Sequence, residues 1–140
     1  MIHEWKLDSN TRNFGDALYE LLLDQETINE WEADLTKLHY PIGSVICNEN
    51  IRISLKAKMT PVFHGCGWRG EPLDPKLVKQ AEFDGVRGPN TRKELLRHGI
   101  DTPVVLDPAY KLPNIYSPGT PNGLAIAIRH IQDKSDYSIN

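Results

Sequence analysis

Long apolar runs are missing from this chain: the longest, Leu21 to Leu23 and Val104 to Leu106, fall far short of the roughly 20 residues that a bilayer span needs. A membrane segment is not expected. The start, Met1-Ile2-His3-Glu4-Trp5-Lys6-Leu7-Asp8, is charged and has neither the apolar centre nor the small-residue cleavage site of a signal peptide. A soluble, cytoplasmic protein is therefore the expectation. Cysteine is scarce. Cys47 and Cys66 are far apart and have no metal-ligand partner at close spacing, so neither a disulfide framework nor a zinc site is signalled. Reduced thiols packing as small hydrophobes are the simpler reading. Basic excess is also lacking. At a formal net charge of −3 the chain has no general affinity for phosphate backbones, and nucleic acid is not an expected partner. A local basic set, Arg87, Arg92, Lys93 and Arg97, instead suits a small phosphate or carboxylate.

What is present is enough for one core. With 140 residues, 39% hydrophobic and 25% charged, the composition is that of a single globular domain without a disordered stretch.

Pattern divides the chain into alternating elements. Ile2 to Leu7 alternates weakly and is read as a first strand inside a sheet, closed by Asp8-Ser9-Asn10. Phe14, Ala17, Leu18, Leu21 and Leu22 have helical spacing, as do Ile28, Trp31, Leu35 and Leu38. Pro41 and Gly43 end the second helix, and Ser44 to Cys47 is read as a buried strand. Ile51 to Met59 alternates apolar and polar, which predicts a half-buried strand, with a helix as the weaker alternative. Pro61 to His64 is a strand running into Gly65-Cys66-Gly67-Trp68-Arg69-Gly70, where glycines let the backbone turn sharply. A short helix follows Pro75, then a strand over Phe83 to Arg87, then a helix opened by Pro89 and closed by Gly99. Pro103 to Leu106 is read as a strand, Leu112 to Asn122 as a proline-rich linker, and Ala125 to Ile128 as a last strand before a polar tail. Strands alternating with helices predict an α/β fold, a mostly parallel sheet with helices on both faces.

In such a sheet, ligands bind beyond the carboxyl ends of the strands, at loops entering helix N-termini. The loops of that form are Asn13-Phe14-Gly15-Asp16, Gly65 to Gly70, and Val86-Arg87-Gly88-Pro89-Asn90-Thr91-Arg92. No complete dinucleotide or phosphate-loop fingerprint is present.

These segments resemble, in order, motifs of the polysaccharide pyruvyl transferase family. Asn13-Phe14-Gly15-Asp16-Ala17-Leu18 is similar to its opening motif, and Pro41-Ile42-Gly43-Ser44-Val45-Ile46 to its Gly-Ser-Ile-Leu strand. Gly65-Cys66-Gly67 stands where the family has Gly-Ser-Gly. Val86 to Arg92 resembles its Val-Arg-Gly-Pro-x-Thr-Arg signature, and Asp107-Pro108-Ala109 with Leu112-Pro113 its Gly-Asp-Pro-Ala segment. The resemblance implies that residues 1–113 form a Rossmann-like N-terminal domain, one half of a two-domain GT-B-type transferase. Residues 114–122 are then a linker, and 123–140 a terminal strand and tail that opens a second domain otherwise missing.

The activity implied is transfer of a pyruvyl ketal group from phosphoenolpyruvate to a sugar acceptor, with no cofactor and no metal. Such a transfer needs cations for phosphate and carboxylate, a proton donor to the enol carbon and an acceptor for the hydroxyl proton. The resemblance points to His130 as donor and Asp16 as acceptor or hydroxyl contact. Asn13, Gly15, Gly65, Gly67, Arg87, Gly88, Thr91, Arg92 and Arg129 would hold the substrates. Plainer readings stand beside these: Asp16 complements a helix dipole, Arg92 is a solvated first-turn charge, and the glycines only make turns. His64 is read as a strand-end histidine satisfied by backbone, with a place lining the cleft as the alternative, His98 as a helix-terminal charge, and Trp68 as either a sugar-stacking ring or a core cap. A cleft enzyme with one domain is incomplete, so a second subunit or a homodimer is expected to finish the site. The rival expectation is a binding protein that holds a phosphorylated or sugar-containing ligand, or a partner protein, without turnover.

Overall fold

The computed structural model describes residues 1–2, 18–115 and 119, and the backbone of 6–7 and 11–12. Its centre is an open parallel sheet of three strands, β3 (Lys37–Tyr40), β4 (Thr60–Phe63) and β5 (Glu82–Phe83), in that order. Tyr40 pairs with Phe63 and Phe63 with Phe83, so their rings share one face and stack, with centroids 4.7 and 5.5 Å apart. Single parallel bridges widen the sheet, Ile2 to His39 on one side and Val86 to Cys66 and Val104 on the other. β1 (Lys6–Leu7) and β2 (Thr11–Arg12) form a separate antiparallel ribbon. The first strand expected over Ile2 to Leu7 is thus divided: Ile2 meets the main sheet and Lys6–Leu7 does not.

Two helices precede β3, α1 (Tyr19–Leu22) and α2 (Gln25–Ala33). Asp24 starts α2 by accepting the Thr27 amide at 2.7 Å. Asp34 ends it, because its carboxylate takes both the amide and the hydroxyl of Thr36, at 2.8 and 2.6 Å. The helix predicted to continue through Leu35 and Leu38 therefore stops early: Leu35 is exposed and Leu38 belongs to β3.

The largest correction is α3 (Asn48–Lys56), where alternation predicted a strand. Its buried residues are Asn50, Ile51 and Ser54, a helical stripe, whereas Ile53 is exposed. Two of those three are polar, which hid the stripe from a hydrophobic pattern. Each is satisfied: Asn50 donates to the Val45 carbonyl at 2.7 Å, Ser54 to the Asn50 carbonyl at 2.9 Å, and the Tyr40 hydroxyl lies 3.0 Å from Ser54. Correspondingly, the strand expected over Ser44 to Cys47 reduces to a bridge of Ile46 with Trp68, and Cys47 is already the residue capping α3.

α4 (Pro75–Val78) follows a cap by Asp74, and α5 (Pro89–Leu96) starts at Pro89 and closes before Gly99, whose φ is 77°. Ile51, Val78 and Leu95 of α3 to α5, with Tyr40, Ile46, Phe63, Cys66 and Val86, make one apolar cluster against one face of the sheet. Both cysteines are free and buried, as their apolar surroundings predict, and burial raises the pKa of the Cys47 thiol. Trp31 of α2 covers part of the opposite face, stacked on His39 and His64.

The stretch expected to be strand over Pro103 to Leu106 is mostly exposed and pairs only through Val104. Beyond it, the supposed start of the linker is helical: a 3-10 turn (Pro108–Lys111) runs into α6 (Leu112–Ile115). Asp107 caps that turn through the Ala109 amide at 3.0 Å, and Ala109 and Leu112 pack on Leu18, Tyr19 and Ile42. The expected strand over Ala125 to Ile128 and the rest of 123–140 lie outside the described residues. No helix among the described residues is long and apolar enough to cross a membrane.

Candidate functional site

Successive strand-end loops are tied to one another by backbone bonds. The Gly67 amide donates to Gly43, Ile46 to Gly67, Gly65 to Gly85, Arg87 to Cys66 and Val105 to Val86. That lattice brings distant residues to Arg87. Its guanidinium reaches the Ser44 hydroxyl at 2.6 Å and Asp107 at 3.4 Å, and it lies against Gly67. A Cβ added to Gly67 would sit 2.5 Å from Arg87 Nη2, so glycine there is what lets the guanidinium lie flat on the loop. Asp107 thus has two tasks, capping the following turn with one oxygen and meeting Arg87 with the other.

Beside this junction opens a cleft of about 620 Å³, within the ~300–1,000 Å³ usual for small-molecule sites. Pro41 and Ile42 after β3, His64 and Gly65 after β4, and Asp84 after β5 form its inner edge. Trp31, Tyr19, Tyr110 and Leu106 are among the apolar groups of its walls. The cleft occupies the carboxyl ends of the parallel strands, where this architecture places ligands. Gly65 has a φ of 63° and its Cα faces Leu106 and Pro108, so a side chain there would be both strained and crowded.

The polar part of the cleft wall is a hydrogen-bonded series. His39 Nδ1 lies 2.9 Å from His64 Nε2, and His64 Nδ1 lies 3.3 Å from Asp84 Oδ2. Trp31 stacks over both imidazoles, at 4.6 and 4.2 Å between centroids. Burial, reinforced by the nearby His64, pushes the His39 pKa down to about 4. Burial also lowers that of His64, against the opposing pull of Asp84. Both rings are neutral near pH 7.

The residues singled out from sequence fall into distinct places. Gly65 lines the cleft, and Gly67 and Arg87 form the junction next to it. Gly88 is the extended residue preceding α5. Thr91 is buried and accepts the Trp68 amide at 3.1 Å, a structural task. Arg92 is paired with Asp101 at 2.7 Å on exposed surface and does not line the cleft. Asn13, Gly15, Asp16, Arg129 and His130 lie outside the described residues. Trp68 bonds through its indole to the Glu71 carbonyl at 2.6 Å and packs on the core. His98 faces Glu94 at 3.5 Å near the end of α5.

Trp31, His64, Asp84 and Asp107 are the cleft groups that pattern alone passed over or left undecided. A signal existed for two of them: Asp84 and His64 each directly precede a glycine at a strand end. Nothing local linked either to Trp31 or His39. Comparison with protein-family models, with curated proteins and with solved structures finds no match to this chain.

Proposed function

We propose that the chain is a polysaccharide pyruvyl transferase-like protein, whose Rossmann-like domain resembles one half of a GT-B-type site and holds phosphoenolpyruvate or a sugar acceptor. The observation that carries this reading is the meeting at Arg87 of segments from four separate motifs. Ser44, Gly67, Arg87 and Asp107 come from four of the stretches that resemble the family, and they touch at one point beside the cleft. In this reading an incoming phosphate or carboxylate competes with Asp107 for the guanidinium, which already has its position fixed by Ser44 and Gly67. Protonation of the enol carbon and removal of the hydroxyl proton fall to His130 and Asp16, as the resemblance implies.

The test is calorimetric titration of the purified chain with phosphoenolpyruvate and a panel of nucleotide sugars, with phosphate release followed in the same samples. Saturable phosphoenolpyruvate binding that Arg87→Ala abolishes is the expected result. No binding, or binding indifferent to Arg87, removes the proposal.

A second reading has its own support. Among the described residues the cleft lining is mainly apolar and carries Asp84 and Asp107 against the single cation Lys111. That balance favours a binding protein whose ligand is uncharged or hydroxylated. Binding of the sugars without phosphate release is the outcome it expects.

A further inference from the structure

The series His39, His64, Asp84 has a proton arrangement that follows from its contacts once His64 is neutral. A carboxylate only accepts, so His64 Nδ1, which faces Asp84, carries a proton. In neutral His64 the other nitrogen, Nε2, is then a bare acceptor. It faces His39 Nδ1 at 2.9 Å, so His39 Nδ1 carries the next proton and donates to it. His39 Nε2 then carries no proton and is the other end of the series.

We propose that His39, His64 and Asp84 form a one-proton store and relay whose outlet is the Asp84 carboxylate in the cleft wall, serving a ligand that presents a hydroxyl or acid group to that carboxylate. The steps balance. A proton taken up at His39 Nε2 releases the Nδ1 proton to His64 Nε2, which makes His64 an imidazolium donating to both neighbours. Passing its Nδ1 proton to Asp84 returns both imidazoles to neutrality and leaves a carboxylic acid facing the cleft. Withdrawal of a ligand proton runs the same sequence backward. A second proton has no place, because it would set N–H against N–H across the contact between the rings.

Position suits this role. His64 and Asp84 line the cleft, whereas His39 is buried behind them. Trp31 covers both imidazoles, and its ring face favours a positive charge beneath it. Among the described residues, the other charges facing the pair are Asp34 after α2, the N-terminal amine, and Lys37 with Glu82 on the same sheet face. Lys37 and Glu82 are paired at 2.7 Å and offset one another. Among the described residues, Asp84 is therefore the anion in direct contact with the series, and it is the group a ligand would meet. The proposal is independent of which ligand the cleft takes.

The experiment is a titration of the histidine ring nitrogens of the whole chain by NMR, from about pH 8 to about pH 4, with Trp31 emission followed in parallel. His39 and His64 are expected to take up one proton between them, detected on both rings at the same midpoint and accompanied by quenching of Trp31. Asp84→Asn, at a largely exposed side chain, is expected to move that midpoint to lower pH while circular dichroism stays unchanged. Asp84→Ser serves as the second variant, and Trp31→Phe assigns the emission change. Two independent uptakes at ordinary imidazole midpoints would overturn the proposal. So would a midpoint indifferent to both Asp84 variants, or no uptake before the chain unfolds.

Discussion

The two faces of the sheet are built on different principles, although both come from the same few strands. On one, Tyr40, Phe63 and Phe83 stack in line and α3, α4 and α5 bury them with Ile51, Val78 and Leu95. Its polar groups, Asn50 and Ser54, are enclosed and have partners within the fold. On the other face, His39 and His64 alternate with those rings and are covered by Trp31, and the polar series ends at an exposed carboxylate in a cleft. The first face holds the chain together by burial and close packing. The second leaves hydrogen-bonding capacity open at one end, which is what a binding surface requires.

The strongest way to break that contrast is at the packed face. Phe63→Ala removes a fully buried ring between two others and is expected to cost about 3–5 kcal/mol of stability, measured by urea unfolding. Gly85→Ala comes next. At a φ of 105°, with Val105 where the new Cβ would go, it should lose about 1–3 kcal/mol by the same measurement.

Acidification tests the second face. The folded pKa of His39 is about 4, below the unfolded value of about 6.5. The unfolded chain therefore binds the proton first. The stability associated with neutral His39 is complete above about pH 6.5 and declines as the pH falls toward about 4. His64, also lowered, acts in the same direction. Unfolding midpoints across that range should fall less steeply in His39→Asn than in the parent chain, and equal slopes would remove the argument.

Gly67→Ala sharpens the comparison at the cleft edge. The atoms in its way are the far end of the Arg87 side chain, which can rotate aside, so stability should change by no more than about 1 kcal/mol while ligand binding through Arg87 is lost. Arg92→Ala is the smallest effect. The exposed pair with Asp101 should contribute less than about 0.5 kcal/mol, and binding should be unaltered; weakened binding would bring Arg92 back into the site.

Different parts of this fold were legible to different degrees. The helix from Pro89 was bounded correctly because proline and glycine constrain the backbone locally, whatever the tertiary context. β4 was visible as a short apolar run ending at glycine. α3 was not, since a stripe containing Asn50 and Ser54 looks polar until Tyr40 and Val45 are known to satisfy it. The break between α2 and β3 lay in the Asp34 and Thr36 side chains, a local signal that the spacing of Leu35 and Leu38 concealed.

The same division holds at the cleft. Order of the motifs along the chain, and not any one loop, singled out Gly65, Gly67 and Arg87, and the fold sets them at or beside the cleft. Arg92 looked equivalent to Arg87 in sequence, and only the fold separates them, one at the loop junction and the other on the surface with Asp101.

By itself the sequence determined an α/β chain with buried cysteines, a parallel sheet and glycine loops at the strand ends, since period, turn chemistry and composition act over a few residues. Tertiary structure alone decided which face became the core, that Arg87 meets Ser44 and Asp107, and that Trp31 covers a histidine pair leading to Asp84. Those contacts join residues far apart in the chain, and their energies depend on burial and distance, which no local pattern encodes.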